Sequence, residues 1–133
     1  TLRFREDGTM MALIRREAGS RNAWFGTSKP PYTTWEFKEL GWAMGGPNFI
    51  LLPDGRMFAA GRKYTPEVKT ALGPLTPEAY TPVLEFPSGG DTSYPGLVWH
   101  DGLLWVSYYA SHEGKTSVYL AKVRVENANA ITL

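Results

Sequence analysis

The chain has 133 residues, of which 43% are hydrophobic, and this is enough to bury the core of one domain. Fourteen basic and 13 acidic residues give a formal net charge of +1, which predicts neither a nucleic-acid partner nor a membrane surface as partner. There is no cysteine, and the two histidines have no carboxylate cluster beside them, so we expect no disulfide, no metal and no cofactor.

Three Asp-Gly dipeptides, with aspartates at positions 7, 54 and 101, are spaced 47 residues apart between apolar segments. Asp-Gly between alternating apolar runs predicts a β-hairpin, because both central residues of a type I′ turn need positive φ. Hairpins at this period indicate propeller blades, which are four-stranded units of roughly 40–50 residues. The sequence therefore predicts an all-β, propeller-type domain of about three four-stranded blades.

The predicted strands follow the repeats in chain order. They are 2–6, 10–16, 22–27 and 35–40 in the first repeat; 48–52, 56–62, 70–75 and 80–86 in the second; and 97–100, 103–110, 117–125 and 130–133 in the third. The blades are predicted at 1–42, 43–88 and 89–133, and the last strand of the third blade has the weakest pattern.

Three blades leave two hydrophobic blade faces open, because propellers usually close with four to eight blades. Either the chain is a fragment of a longer propeller that lacks its N-terminal half, or copies assemble into a ring. The first residue is Thr1 rather than Met, which favours a truncated or processed product. A homodimer would supply six blades.

Two segments resemble a known family. Ser28-Lys29-Pro30-Pro31-Tyr32-Thr33-Thr34-Trp35 is similar to the sialidase Asp-box, Ser-x-Asp-x-Gly-x-Thr-Trp, with Pro30 and Tyr32 at the Asp and Gly positions. Gly89-Gly90-Asp91-Thr92-Ser93-Tyr94-Pro95, together with residues 104–116 and 118–121, resembles the C-terminal part of bacterial sialidase-like, BNR-repeat glycosidases.

The resemblance implies that this chain is about the last three blades, or half, of a six-bladed propeller. It also implies a carbohydrate-active protein that is secreted or periplasmic, although these residues contain no signal peptide and leave the localisation undetermined. The expected partner is a carbohydrate or another small acidic ligand.

Blade topology predicts which residues share a site. The ends of the second strands and the connections to the innermost strands meet at one face, where ligands usually bind. The residues expected there are Arg15, Arg16, Trp42, Asn48, Arg62, Lys63, Asp91, Ser93, Tyr94, Tyr108, Tyr109, His112 and Glu113.

Arg15, Arg62 and Tyr109 each follow the aspartate of their repeat by eight residues, so they occupy equivalent positions in successive blades. Sialidases hold the substrate carboxylate with an arginine triad and use a tyrosine nucleophile, and the resemblance gives these roles to Arg15, Arg62 and Tyr109. A phenol of pKa near 10 needs a base, for which Asp91 and Glu113 are candidates. A separate acid and the first arginine would come from blades that this chain does not contain.

Structural roles compete with each of these hypotheses. The two arginines are also consistent with strand-end residues that pair with Glu17 and Glu67, and Tyr108 and Tyr109 with packing at a blade interface. His112 and Glu113 also fit a simple turn, and Trp42 either stacks on a sugar or caps the inner strands.

The leading functional hypothesis is a sialidase-like glycoside hydrolase, or a fragment of one, with Tyr109, Asp91 and Glu113 as catalytic candidates. The expected substrate-binding residues are Arg15, Arg62, Trp42, Tyr94, Tyr108 and His112. The alternative is a non-catalytic module that binds carbohydrate or self-assembles.

Overall fold

A computed structural model describes residues 1–127 and 130–133, and every regular element among them is a β-strand. The first sheet contains β1 (Leu2–Phe4), β2 (Met10–Ile14), β3 (Asn22–Ser28) and β4 (Glu36–Ala43). The second contains β5 (Gly45–Leu51), β6 (Met57–Lys63), β7 (Lys69–Leu75) and β8 (Leu84–Glu85). The third contains β9 (Ser93–His100), β10 (Leu103–Ala110), β11 (Ser117–Asn127) and β12 (Ala130–Thr132).

Each sheet is an antiparallel meander whose strands pair in chain order, as in a propeller blade. The predicted all-β, propeller-type fold of three four-stranded blades is confirmed. Four strands differ from the prediction by three or more residues at one end. β4 runs on to Ala43, three residues past position 40, β5 begins at Gly45, three residues before position 48, and β9 begins at Ser93, four residues before position 97. The predicted strand 80–86 is reduced to Leu84–Glu85 plus one bridge between Tyr80 and Leu75. Among the described residues there is no helix long and apolar enough to cross a membrane.

The prediction of a type I′ turn at every Asp-Gly is correct only for the third repeat. Asp101 and Gly102 both have positive φ, at 49° and 72°, and form a two-residue hairpin between the paired residues His100 and Leu103. In the second repeat only Gly55 has positive φ, and Leu52 N–H donates to Arg56 C=O across a three-residue loop.

The first repeat has the same three-residue loop, with Gly8 at φ 83° and a bond from Arg5 N–H to Thr9 C=O. One added loop residue, Glu6 or Pro53, converts the type I′ hairpin into a type I turn that ends in a glycine bulge. Proline favours this form because its fixed φ suits the first central position of a type I turn.

Blade 2 is buried on both faces because it lies between blades 1 and 3, and successive side chains of its strands point to opposite faces. Met57 and Ala59 of β6 pack against blade 1, and Phe58 and Ala60 pack against blade 3. The two hydrophobic cores are therefore the two interfaces between blades. Arg3 Nη2 donates to Asn48 Oδ1 at 3.0 Å, and Asn48 Nδ2 donates to Pro95 C=O at 2.9 Å, so polar contacts also join the three innermost strands.

Candidate functional site

The ends of β6 and β10 meet the connection that precedes β9 at the corner between blades 2 and 3. Arg62 Nε donates to Thr92 C=O at 2.7 Å, and Arg62 Nη2 lies 3.1 Å from Asp91 Oδ1 and 3.2 Å from Tyr109 Oη. The Tyr109 hydroxyl donates to the same Asp91 oxygen at 2.7 Å. We call Arg62, Asp91 and Tyr109 the Arg-Asp-Tyr cluster.

Hydroxyl groups, of which those of Thr70 and Thr92 are buried, bind the backbone of this cluster. The Thr92 hydroxyl donates to Tyr109 C=O at 2.6 Å and lies 2.7 Å from the Thr70 hydroxyl. Because a hydroxyl carries one proton, Thr92 must accept from Thr70. Ser111 Oγ donates to Asp91 C=O at 3.2 Å. The backbone carbonyls of Tyr109 and Asp91 are therefore each bound by a hydroxyl group from the adjoining connection.

The electrostatics of the cluster keep the phenol protonated. Burial and the hydrogen bond to Asp91 raise the pKa of Tyr109 above its usual value of 10, although the Arg62 guanidinium acts in the opposite direction. The Arg62 side chain is 18% exposed and that of Asp91 is 69% exposed. At neutral pH Tyr109 is thus a neutral donor whose proton already points at a solvent-accessible carboxylate.

Tyr94 covers the cluster from an unusual backbone position. Its φ is 48°, in the left-handed region that L residues other than Asn and Asp rarely adopt, and its ring stacks on Tyr109 with centroids 6.1 Å apart. An extra residue in β9 lies opposite the step from Ser107 to Tyr109, so Tyr94 occupies a β-bulge. Bulges of this kind redirect side chains next to functional sites.

Arg15 lies on the neighbouring part of the same face. It lines a cavity of about 320 Å³, which we call the arginine cavity, together with Arg16, Glu17, Arg21, Arg62 and Tyr64. Arg15 Nε donates to Glu17 Oε1, while Arg16 lies 4.1 Å above the Trp24 ring and pairs with Glu39 at 3.5 Å. Four guanidinium groups and one carboxylate line this cavity. Arg15 and Arg21 share Glu17, and Arg16 and Arg62 pair with Glu39 and Asp91 outside the lining, so one positive charge remains in excess, which favours an anionic ligand.

Tyr108, His112 and Glu113 lie in a different group from the Arg-Asp-Tyr cluster. The buried Tyr108 donates to Pro87 C=O at 2.8 Å, and its ring stacks on Tyr119 at 5.5 Å. Tyr119 donates to Glu113 Oε2 at 2.5 Å, and the His112 ring lies 4.9 Å from the Tyr119 ring. Of the two candidate bases, Asp91 therefore contacts Tyr109 and Glu113 contacts Tyr119.

Trp42 lines a second cavity, of about 340 Å³, with Asn22, Gly41, Ala43, Tyr64 and Thr65. Tyr64 was not among the residues predicted for the site, although it follows Arg62 by two residues and so continues along the same side of an extended chain. Among the described residues, no three His, Cys, Asp or Glu side chains group closely enough to hold a metal ion.

The segment that resembles an Asp-box forms a compact turn between β3 and β4. Ser28 Oγ donates to Thr34 C=O at 2.6 Å, and Tyr32, at the glycine position of the motif, has φ 64°. The Tyr32 hydroxyl donates to Gly8 C=O at 2.9 Å, which places the turn beside the Asp-Gly hairpin. It is therefore remote from the cluster.

Comparison with known proteins shows the fold and nothing finer. No protein-family model matches this sequence, and no curated protein matches it. A Dyadobacter fermentans DSM 18053 protein of unknown function has a similar structure, with TM-score 0.80 and 18% identity over 94% of this chain and 37% of that one. Bacteroides ovatus xyloglucan PUL GH43B has TM-score 0.67 and 16% identity over 93% of this chain and 26% of its own. The chain thus spans about a third and a quarter of these two proteins.

Proposed function

We propose that this chain forms part of a carbohydrate-active propeller and binds an acidic sugar at its loop face, in the manner of a sialidase-like glycoside hydrolase. The observation that carries the proposal is the Tyr109 hydroxyl bonded to Asp91 at 2.7 Å beside the Arg62 guanidinium. The fold likeness to GH43B, whose designation is that of a glycoside hydrolase, supports the carbohydrate class. The positive lining of the arginine cavity supports an acidic ligand.

In this proposal Arg15 binds the sugar carboxylate and Tyr109 attacks the anomeric carbon. Tyr109 Oη forms the bond to carbon, the phenolic proton passes to Asp91 Oδ1, and the bond to the leaving group breaks with its electron pair. Water then displaces the tyrosyl oxygen, giving its proton to the conjugate base of the acid that protonated the leaving group, and Asp91 returns its own proton to Tyr109. Protonation of a sugar leaving group requires a further acid, which we assign to parts of the propeller outside this chain.

Binding is tested first, by titrating the full chain with N-acetylneuraminic acid and with its methyl ester. We expect the acid to bind at least about tenfold more tightly, since a charge-assisted hydrogen bond contributes roughly 1.5–3 kcal/mol. Arg15→Ala should remove this preference. Equal affinity for acid and ester would contradict an acidic-sugar site.

The nucleophile is tested with 2,3-difluoro-N-acetylneuraminic acid, because fluoride leaves without protonation and the missing acid is not needed. We expect intact-mass spectrometry to detect a covalent adduct at Tyr109 that is absent in Tyr109→Phe. Adduct formation should also be slowed strongly in Asp91→Asn, where the proton acceptor is lost. An unmodified wild-type chain that still binds the acid would leave a carbohydrate-binding module and remove the catalytic role.

The open face of blade 3 favours a second candidate, self-assembly. Ala60 pairs with Leu72 in blade 2, and Ser107 pairs with Leu120 at the equivalent place in blade 3. Leu72 is fully buried by the next blade, whereas Leu120 is 61% exposed and its neighbours Val118 and Val98 are 80% and 59% exposed. The equivalent apolar surface is thus covered by a neighbouring blade in blade 2 and exposed in blade 3. We propose that a second copy of this chain covers it, with its own blade 1 as the contacting surface.

Light scattering of the purified chain tests this arrangement. We expect the wild-type chain to have twice the monomer mass and the Leu120→Lys variant to have the monomer mass. Val83→Lys is the control: Val83 is also exposed but lies away from both open faces, so this variant should remain a dimer. A folded wild-type monomer would overturn the proposal.

A further inference from the structure

Two cavities adjoin on the loop face, and the function proposed above uses only one of them. We call the second the aromatic cavity; it is lined by Asn22, Gly41, Trp42, Ala43, Tyr64 and Thr65. Tyr64 and Ala43 also line the arginine cavity. The two cavities therefore share a wall between blades 1 and 2, and both blades belong to this chain.

The fold directs Trp42 into this position by an irregularity in β4. Asn22 pairs with Ala43 and Trp24 pairs with Glu39, so β4 contains two more residues than β3 in this stretch. Gly41 has φ 77° within the bulge, and a Cβ there would contact nothing, so its glycine is needed for the backbone and not for space. The half-buried Trp42 rests on the core between blades 1 and 2 and reaches the cavity from that support.

Tyr64 forms the opposite wall of the aromatic cavity and contacts neighbouring groups on two sides. The Tyr64 hydroxyl lies directly over Gly45, where any Cβ would collide with it. The Arg62 guanidinium is 5.9 Å from the Tyr64 ring centre, which ties this wall to the Arg-Asp-Tyr cluster. Tyr64 is thus held between the two cavities.

The lining of the aromatic cavity matches a neutral sugar. None of its six lining residues is charged, two are aromatic, and Asn22 and Thr65 add an amide and a hydroxyl group. A pyranose ring has an apolar face that packs on an indole or phenol and a rim of hydroxyl groups that need polar partners. The volume of about 340 Å³ is at the small end of the range for ligand sites.

We propose that the aromatic cavity is a second subsite, which binds a neutral pyranose linked to the acidic sugar in the arginine cavity. This inference rests on the proposed function. It makes the ligand an oligosaccharide whose acidic residue is followed by an uncharged one, with Trp42 as the stacking platform of the second residue.

The test uses the full chain and three ligands: N-acetylneuraminic acid, the trisaccharide 3′-sialyllactose, and lactose. We expect the trisaccharide to bind about five- to twentyfold more tightly than the acidic monosaccharide, and Trp42→Ala to remove that gain while leaving monosaccharide affinity unchanged. Trp35→Ala is the matched control, because Trp35 stacks on Phe37 at the outer face of blade 1 and should change neither affinity.

The outcomes separate this inference from the proposed function. If both acidic ligands bind equally and Trp42→Ala changes neither, the subsite is refuted and the acidic-sugar site stands. If lactose binds in a Trp42-dependent way and N-acetylneuraminic acid does not bind, the neutral-sugar site in the aromatic cavity stands, while the acidic-sugar proposal and the linked arrangement that rests on it are refuted. If none of the three ligands binds, both are refuted.

Discussion

The corner between blades 1 and 2 and the corner between blades 2 and 3 each carry an arginine at the end of a second strand, but the two arginines have different surroundings. Arg62 donates to the Thr92 carbonyl and to Asp91 and lies beside Tyr109, and its side chain is only 18% exposed. Arg15 bonds to Glu17, two residues away in its own loop, and its side chain is 37% exposed.

The connections between the blades explain this difference. Gly45 pairs with Arg62 and Ser93 pairs with Tyr109, so Ala43 is the equivalent of Asp91 and Met44 is the equivalent of Thr92. One corner therefore offers its arginine a methyl group where the other offers a carboxylate. The repeat places both guanidinium groups, and the connecting residue decides whether the next blade supplies a carboxylate to each one. Arg15 receives its carboxylate from Glu17 of its own loop instead.

This comparison gives the two arginines separate roles. Arg62 already faces a carboxylate and a phenol, so it is suited to orient Asp91 and Tyr109. Arg15 faces the arginine cavity with no carboxylate supplied by the next blade at the Ala43 position, so it is suited to an external anion.

The largest expected effect is the loss of unfolding free energy when Arg62, and not Arg15, is replaced by alanine. Arg62→Ala should lower the free energy of unfolding by about 2–3 kcal/mol, because it leaves a hydrogen-bonded carbonyl and the Tyr109 hydroxyl without their donor. Arg15→Ala should cost less than about 0.5 kcal/mol, as is usual for an exposed pair. Urea denaturation measures both, and equal losses would show that the two corners are equivalent after all.

The next effect concerns the bulges that begin β5 and β9. Gly46 and Tyr94 both have positive φ, at 52° and 48°. Gly46→Ala should cost about 1–2 kcal/mol more than Gly55→Ala, because both add the strain of a left-handed alanine but only the Gly46 Cβ would lie 2.9 Å from Tyr94 and Ser93 atoms. Thermal or urea unfolding of the two variants tests this, and equal costs would mean that the Tyr94 ring moves aside freely.

The sequence predicted what local chemistry and strand topology control. The Asp-Gly spacing predicted the blades, and the meander order implied that the end of β6, the end of β10 and the connection before β9 meet. Arg62, Asp91 and Tyr109 were thus expected at one face, and in the structure they lie within hydrogen-bond distance of one another.

What the sequence did not predict depends on single-residue shifts. One added loop residue changed two of the three turn types, and strand alternation decided that Tyr108 faces the core while Tyr109 reaches Asp91. No sequence motif as specific as Asp-Gly marks the bulges at Gly41 and Tyr94. The bulge at Gly41 results from two extra residues in β4, and the bulge at Tyr94 places a tyrosine in a backbone conformation where glycine is usual.

A smaller change in the free energy of unfolding is expected in alkaline solution, and it differs between Tyr80, at the interface of blades 1 and 2, and Tyr109, at the corner of blades 2 and 3. Tyr80, buried between blades 1 and 2, has a pKa raised by burial far above 10. Above pH 10 the unfolded chain releases this proton while the folded chain keeps it, so the free energy of unfolding should fall by at most about 1.4 kcal/mol per pH unit. Tyr80→Phe should flatten this slope. Tyr109→Phe should flatten it less, because Arg62 opposes the rise in the Tyr109 pKa.

The smallest change in stability should come from making the two corners alike. Ala43→Asp supplies Arg15 with the carboxylate that Asp91 gives Arg62, and since this pair is partly exposed the free energy of unfolding should change by less than about 1 kcal/mol. The effect on ligand binding should be larger: the new carboxylate competes for Arg15 and repels an anion, so affinity for N-acetylneuraminic acid should fall about tenfold. Ala43→Asn, of nearly the same shape without the charge, should bind as the wild type does. If Asp and Asn weaken binding equally, the loss is steric, and Ala43 is a contact surface for the ligand and not the reason that Arg15 remains available.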